Sequence, residues 1–385
     1  MAIPRFVAIV GPLGPAQLAC LRSWRRIGYR TAFFHLGTRS VPTAFRGIAD
    51  HYVFFSSSAD LEDTLKEIRE QCIGMEIDGL CALAEQLALK LSALWCRSGY
   101  ARTELYLNAP GVYACLESKL TQARLGAQVG LPVLPTVEIA TNAADALDFF
   151  RPWVLRPDVA RLVRPMFKAR LVSSQDELRQ FLGTIPGMAP RLVAQPFVAG
   201  PNMVVHGVRA KNGAWDHHEA FITEVKAEGL AVSIRPYPLD PDLLSACQRI
   251  EELLDIRGVF HFDFVVDEST GAAYYLEVNP RLGGTTAKAY AAGYDEPGLL
   301  VSAFTEDSPP SALSHTKRLP ATSRIAALRC LLTGLSREAS QLDFPIGSPK
   351  RQAFEALKAI AIYRDELFSL SDMVGNLAYL SQVGT

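Results

Sequence analysis

The chain lacks an excess of charge of either sign: 39 Lys and Arg stand against 40 Asp and Glu, a formal net charge of −1 over 385 residues. No global field draws it to nucleic acid or to an anionic membrane, so neither is expected as a partner. Paired cysteines are missing as well. The seven fall singly at 20, 72, 81, 96, 115, 247 and 330, an odd number with no Cys-x-x-Cys. That argues against a disulfide framework or a zinc ribbon and for reduced thiols. No uninterrupted apolar run reaches the ~18–20 residues that span a bilayer. The start, Met1 to Val10, runs directly into a strand pattern without the basic, apolar and cleavage regions of a signal peptide, so the expected localisation is cytoplasmic. Repeats and low-complexity tracts are absent. What is ample is apolar content, 49%, enough for two or three modest domains.

The most informative stretch is Gly258-Val-Phe-His-Phe-Asp263-Phe-Val-Val-Asp267, followed by Ala273-Tyr-Tyr-Leu-Glu277-Val-Asn279-Pro-Arg281-Leu-Gly-Gly284. Two apolar, aromatic and β-branched runs flank a Gly-containing loop and read as a hairpin. Strand side chains alternate faces, so Glu277, Asn279 and Arg281 point one way, and Asp263 can face them from the partner strand. Carboxylate and amide oxygens suit Mg²⁺, which is held by one or two carboxylates plus substrate phosphate oxygens. A fixed Arg fork beside them suits a phosphoryl group. The same residues could also be the wet face of a sheet crossed by an ion pair.

Upstream, Phe6 to Val10, Arg30 to Leu36, Val53 to Phe55 and Gly79 to Leu83 read as strands, with helices over about 15–28 and 60–71, a pattern that argues a parallel sheet. Gly11-x-x-Gly14 lacks the three-glycine dinucleotide fingerprint. Residues 108–135 read as a helix followed by a strand. Asp240 as N-cap and Pro241 open a helix to Asp255. His217-His218 sit on a strand, where neighbours face opposite sides, so they read as a hairpin rim and not as a metal pair.

The order of acid strand, short turn and Glu-Val-Asn-Pro-Arg-Leu-Gly-Gly resembles the metal-binding hairpin of the ATP-grasp superfamily. The branch it resembles holds carbamoyl-phosphate synthetase, biotin carboxylase and many carboxylate–amine ligases. Three further segments are similar: Glu117-Ser-Lys119 through Pro135, Arg151-Pro-Trp-Val-Leu-Arg156-Pro157, and Leu192-Val-Ala-Gln195-Pro-Phe197-Val198-Ala-Gly200-Pro-Asn202. The resemblance covers about residues 1–305 and implies α/β and α+β classes. It implies a Rossmann-like N-terminal domain (1–105), then a two-subdomain ATP-grasp fold with a lid (106–190) and a subdomain carrying the metal hairpin (191–305). Residues 306–385, with Ser308-Pro-Pro, resemble nothing assignable and read as a helical or mixed cap or an oligomer contact, leaving a homodimer possible.

By the same resemblance, Lys119 and Arg156 would hold ATP phosphates, Gln195, Phe197 and Val198 the adenine, and Asn202 the ribose. Asp263, Glu277 and Asn279 would hold Mg²⁺ (or Mn²⁺), and Arg281 would steady the transferred phosphoryl, with Glu277 and Asn279 sharing the catalytic role. Glu85 would face the cleft. The implied activity joins a carboxylate to an amine through an acylphosphate, releasing ADP and phosphate, with an amino acid or small natural-product acid as substrate. A bicarbonate-using carboxylase and a non-catalytic ATP-binding descendant are the alternatives. The chain departs from the family at Asp158 to Arg170, where a Gly-rich lid loop is normal and no glycine occurs. Arg161, Arg164 or Lys168 are expected to stand in for its backbone donors.

Overall fold

The computed structural model describes residues 5–98, 102–139, 147–185, 191–306, 317–334, 340 and 342–382; Ser308-Pro-Pro lies outside them. The first unit is a five-stranded parallel sheet in the order β3-β2-β1-β4-β5, from β1 (Phe6–Gly11), β2 (Arg30–Gly37), β3 (His51–Ser56), β4 (Gly79–Ala82) and β5 (Glu104–Leu105). Every residue of β1 is buried, as a central parallel strand covered on both faces requires. Its side chains divide by alternation: Val7 and Ile9 enter one core, Phe6, Ala8 and Val10 the other. The helices α1 (Pro15–Arg26), α2 (Leu61–Gly74) and α3 (Glu85–Ser98) cover it, and Asp60 caps α2 by accepting from Glu62 N and Asp63 N.

Over 108–135 the structure departs from the single expected helix. Two helices form, α4 (Pro110–Leu116) and α5 (Lys119–Gln128), with Ser118 capping the second. The expected strand is reduced to a single bridge at Val133, because Pro132 and Pro135 offer no N–H to a ladder. A small antiparallel sheet follows in the order β6-β9-β7-β8, from β6 (Val137–Ile139), β7 (Trp153–Pro157), β8 (Arg170–Val172) and β9 (Leu192–Pro196), with α6 (Gln175–Gly183). Its strand β9 lies past the residue-190 boundary expected between the lid and the next subdomain.

The largest sheet runs β14-β13-β10-β11-β12-β15-β16. It comprises β10 (Asn202–Arg209), β11 (Asp216–Ala227), β12 (Leu230–Tyr237), β13 (Gly258–Val266), β14 (Ala273–Asn279), β15 (Ala321–Thr322) and β16 (Arg364–Asp365). All its pairings are antiparallel except β15 with β16. The segment read as a cap thus supplies two strands of this sheet. Phe260, Phe262 and Phe264 of β13 are fully buried on one face among residues of α7 (Pro241–Leu254) and α5. Burying each stabilises by about 1.5–3 kcal/mol, which fixes the strand's phase and turns His261 and Asp263 to the other face. On that face lie α8 (Thr286–Ala291) and α9 (Glu296–Thr305), packed against α1. The chain ends in α10 (Arg324–Gly334), α11 (Pro349–Ile362) and α12 (Met373–Leu380).

Gly200, between β9 and β10, is forced by close approach: a Cβ there would lie 1.8 Å from the Val266 carbonyl oxygen, which is backbone and cannot step aside. Gly200→Ala is expected to lower stability by about 1–3 kcal/mol, the usual cost of overpacking, read as a lower urea midpoint. Gly183→Ala, where a Cβ meets nothing within 4 Å, should leave the midpoint near wild type.

Candidate functional site

Asp263 of β13 stands directly opposite Glu277 of β14, and His261 opposite Asn279. A register shift between Asp263 and Phe264 leaves Leu276 as the extra residue of a β-bulge. Simple alternation would put Tyr275 beside Glu277, yet Tyr275 is buried in the opposite core. The bulge resets the phase, so Tyr275 anchors the strand from below while Glu277 and Asn279 reach the cleft. Asn279 Nδ2 donates to Asp263 Oδ2 (2.8 Å) and Glu277 Oε1 (3.3 Å), standing between two carboxylates where a cation would be attracted. Arg281 Nη2 reaches Asn279 Oδ1 at 3.4 Å, Nη1 donates to the Leu282 carbonyl, and its buried Nε has no partner among the described residues. The backbone before Arg281 is held by buried Asn108, which donates to the Pro280 carbonyl and accepts from Arg257 N.

The two carboxylates titrate apart. Burial, then repulsion from Glu277, pushes Asp263 up to about 7 against the pull of Arg156 and Arg281. Burial also works to raise Glu277, but Arg156 and Lys119 overcome it and hold that carboxyl well below the usual range. Both cations meet one oxygen: Lys119 Nζ lies 2.8 Å and Arg156 Nη2 2.5 Å from Glu277 Oε2. Three separate elements converge there, and buried polar side chains fix them. Asp158, at the end of β7, accepts from Ser118 Oγ (2.7 Å) and Leu120 N (2.9 Å), and its carbonyl accepts from Lys119 N. This ties the strand of Arg156 to the helix start of Lys119. Gln122, one turn along α5, accepts from Val278 N (2.6 Å) and the Tyr275 hydroxyl (3.0 Å), docking the helix on β14. Residue types alone did not single out Asp158 or Gln122; the Ser118 N-cap three residues before Thr121 was the available signal.

The other expected contacts line the way out from this centre. Gln195 is buried on β9 and donates to Thr136 Oγ1. The Phe197 N–H is already spent on the Pro152 carbonyl, which leaves the backbone of Val198 as the available edge. Asn202 accepts from Lys226 Nζ at 2.8 Å. From the sequence Lys226, with Glu219 and Glu224, reads only as a residue near the cleft, without a role. It emerges on this face after register shifts in β11 between Thr223 and Lys226, and burial lowers its pKa. In the glycine-free loop, Arg161 forks onto Glu117 and Arg164 Nη1 turns back to the carbonyls of Arg161 and Val163. Of the three cations expected to cover phosphates, Lys168 alone is exposed without a hydrogen bond or ion pair among the described residues. Glu85 opens α3, and it and Arg281 both act on the Tyr113 hydroxyl.

Three other features stand apart. His206 Nδ1 and His261 Nε2 lie 3.0 and 2.5 Å from Glu296 Oε1, while Thr286 donates to Glu296 Oε2 and Thr285 reaches His206 Nε2. Tetrahedral ligands about 2.0–2.1 Å from zinc would sit roughly 3.3 Å apart. The closer spacing is that of hydrogen bonds, and burial holds His261 down at about 4, hence neutral. This buried network seats the 283–286 loop under Arg281. His217 and His218 do face opposite sides: His217 stacks on Tyr294, and His218 bonds Glu251 at 2.8 Å. A cavity of about 730 Å³ is lined by Asp78, Trp95, Arg102, Tyr106, Lys211 and Phe304 and includes neither Asp263 nor Glu277 in its wall. No described helix is long and apolar enough to cross a membrane.

By sequence, no family model and no curated protein matches the chain. By structure it is similar to an ADP complex of N5-carboxyaminoimidazole ribonucleotide synthetase, with TM-score 0.65 and 14% identity over 94% of this chain and 97% of that one. It is similar to L-amino acid ligase from Bacillus licheniformis, with TM-score 0.63 and 16% identity over 83% and 80%. A biotin carboxylase β-γ-ATP complex from Campylobacter jejuni gives TM-score 0.64 and 14% identity over 82% and 74%. Likeness at such identity carries the fold, and these are ATP-grasp folds.

The raised Asp263 sets a pH dependence. Were a Mg²⁺ ion to take that carboxylate as a ligand, it would have to displace the proton. Mg²⁺-dependent nucleotide affinity is expected to fall as pH drops through about 7, by up to about tenfold per unit, and to level off above. Calorimetry in buffers of different ionisation enthalpy should register the proton. Asp263→Asn should flatten the profile; a wild-type affinity that ignores pH contradicts the assignment.

Proposed function

We propose that this chain, built on the ATP-grasp fold, is an ATP- and Mg²⁺-dependent ligase that joins a carboxylate to an amine and releases ADP and phosphate. The observation that carries the reading is the convergence of Lys119 and Arg156 on Glu277, opposite Asp263 and beside Asn279 and Arg281. Asp263, Glu277 and the amide oxygen of Asn279 form a hard oxygen set of the kind Mg²⁺ accepts, once the amide turns its oxygen toward them. The metal would offset charge on the phosphates as the phosphoryl group moves.

The side chains divide the rest of the work. A carboxylate approaching a triphosphate is an anion attacking an anion, so positioning and fixed cations do most of the catalysis. Lys119 and Arg156 exchange Glu277 for nucleotide phosphates, which frees Glu277 for the metal. The cleft's cations, Lys119, Arg156, Lys226 and Arg281, outnumber its two carboxylates and so suit a magnesium triphosphate, itself a net anion. Arg281, its Nε otherwise unpartnered, steadies the transferred phosphoryl and the acylphosphate that results. The amine then attacks the acyl carbon and phosphate leaves. Gln195 and the Val198 backbone take the adenine, and Asn202 with Lys226 the ribose side. The N-terminal parallel domain and the segment after Gly284 frame the pocket for an amino acid or other small acid.

The test is ADP release with ATP, Mg²⁺ and a panel of carboxylic acids and amines. Turnover that needs one of each is expected. Glu277→Gln should lower kcat by about 10²–10³, the scale of one lost electrostatic partner, with circular dichroism unchanged. ADP release that needs bicarbonate and an amine, but no organic acid, would replace this reading with a carboxylase. Tight ATP binding without turnover on any combination would make the chain a non-catalytic binder.

A further inference from the structure

Gly11-x-x-Gly14, which lacks the dinucleotide fingerprint, nonetheless sits where open parallel sheets hold ligands. In the order β3-β2-β1-β4-β5, β1 and β4 are neighbours whose following helices take opposite faces. Leu18 of α1 joins the core on one side, and Leu87 and Ala88 of α3 join the core on the other. The two loops part there and leave a crevice beyond the strand ends. It adjoins the carboxylate centre, because Ala82 at the end of β4 and Arg281 line one small cavity.

The start of α1 opens on this crevice uncapped. Asp60 caps α2 and Glu85 stands in the first turn of α3, but α1 has neither a capping side chain nor an acid in its first turn. The N–H groups of Gly14, Ala16 and Gln17 meet no acceptor among the described residues. Water can satisfy such groups, so a second observation is needed. Gln17 supplies it. Its side chain is 5% exposed and makes no hydrogen bond among the described residues. The amide lies over the loop: a Cβ at Gly14 would stand 2.9 Å from Gln17 Oε1, and one at Gly11 3.3 Å from Nε2. An amide at that depth has given up most of its water and calls for a polar partner.

We infer that the acid this chain activates carries a second anionic group, a carboxylate or a phosphate, held at the start of α1; this rests on the ligase reading. The N–H groups of Ala16 and Gln17 and the Gln17 side-chain amide donate to its oxygens, and the helix dipole favours its charge. The reacting carboxylate lies toward Arg281, and the second anion lies at the α1 side of the crevice. Glu85 already occupies the positive end of α3, which leaves α1 as the one helix start of this domain with that end unclaimed among the described residues.

The first test is binding to the full chain, which needs no turnover. The Ala16 and Gln17 backbone amides and the Gln17 side-chain amide are followed by NMR as succinate, inorganic phosphate or neutral acetamide is added. Saturable shifts with succinate or phosphate are expected, and none with acetamide; the tighter of the two identifies the group. Gln17→Glu should weaken that binding by about tenfold or more, since a like charge replaces a donor. Should the variant fail to fold, the wild-type titration decides alone. The second test is ADP release with ATP, Mg²⁺ and an amine panel, comparing succinate with succinamate and 3-phosphoglycerate with glycerate. The doubly anionic member of one pair should be preferred by about tenfold or more in kcat/KM, and Gln17→Glu should abolish the preference. Turnover on singly charged acids with no shift at α1 would overturn this inference and leave the ligase reading standing. Shifts at α1 with no ADP release on any acid would instead overturn the ligase reading, and with it the assignment of the anion to a substrate.

Discussion

One carboxylate oxygen organises the cleft. Glu277 Oε2 is shared by Lys119 from a helix start and Arg156 from a small-sheet strand, so three elements far apart in sequence meet on a single acceptor. Two cations this close repel, and the anion between them is what allows both to stay. In partly buried surroundings such a pairing is strong, and removing one member strands the others. Glu277 is therefore structural and, on the proposed reading, functional as well, and the rest of the site is scaffolding that brings partners to it.

That scaffolding is itself polar and buried. Asp158 joins the Arg156 strand to the Lys119 helix, and Gln122 joins that helix to β14. Asn108 holds the backbone ahead of Arg281, and the Glu296 network seats the loop behind it. Apart from the Asp158 carbonyl, which accepts from the Lys119 N–H, none of the four bonds an expected nucleotide contact. Each fixes the backbone from which a contacting side chain projects, and preorganised side chains lose little reorganisation energy when charge develops.

Much of this was legible in the chain because strand alternation is a strong signal. Phe260, Phe262 and Phe264 on one face leave Asp263 on the other, and the structure pairs it with Glu277 as expected. The bulge at Leu276 was not legible, since an extra residue leaves no mark in composition, and it is what separates buried Tyr275 from Glu277. The partner of Lys226, Asn202, was hidden for the same reason, because Lys226 lies beyond register shifts in β11. The two-residue strands β15 and β16 are too short to show any period, so the last eighty residues could be read only as a cap or an oligomer contact. The partner of a capping hydroxyl, such as Asp158 for Ser118, is a tertiary fact that spacing does not encode.

Equilibrium binding of ATP with and without Mg²⁺, by calorimetry on wild type and on the Lys119→Met/Arg156→Met pair, probes the shared-carboxylate centre most directly. Wild type should bind the nucleotide far more tightly with Mg²⁺ than without, and the paired variant should lose that binding while keeping its fold. Nucleotide binding that ignores Mg²⁺, or that survives loss of both cations, would contradict a centre in which Glu277 trades its cations for a metal-bound triphosphate.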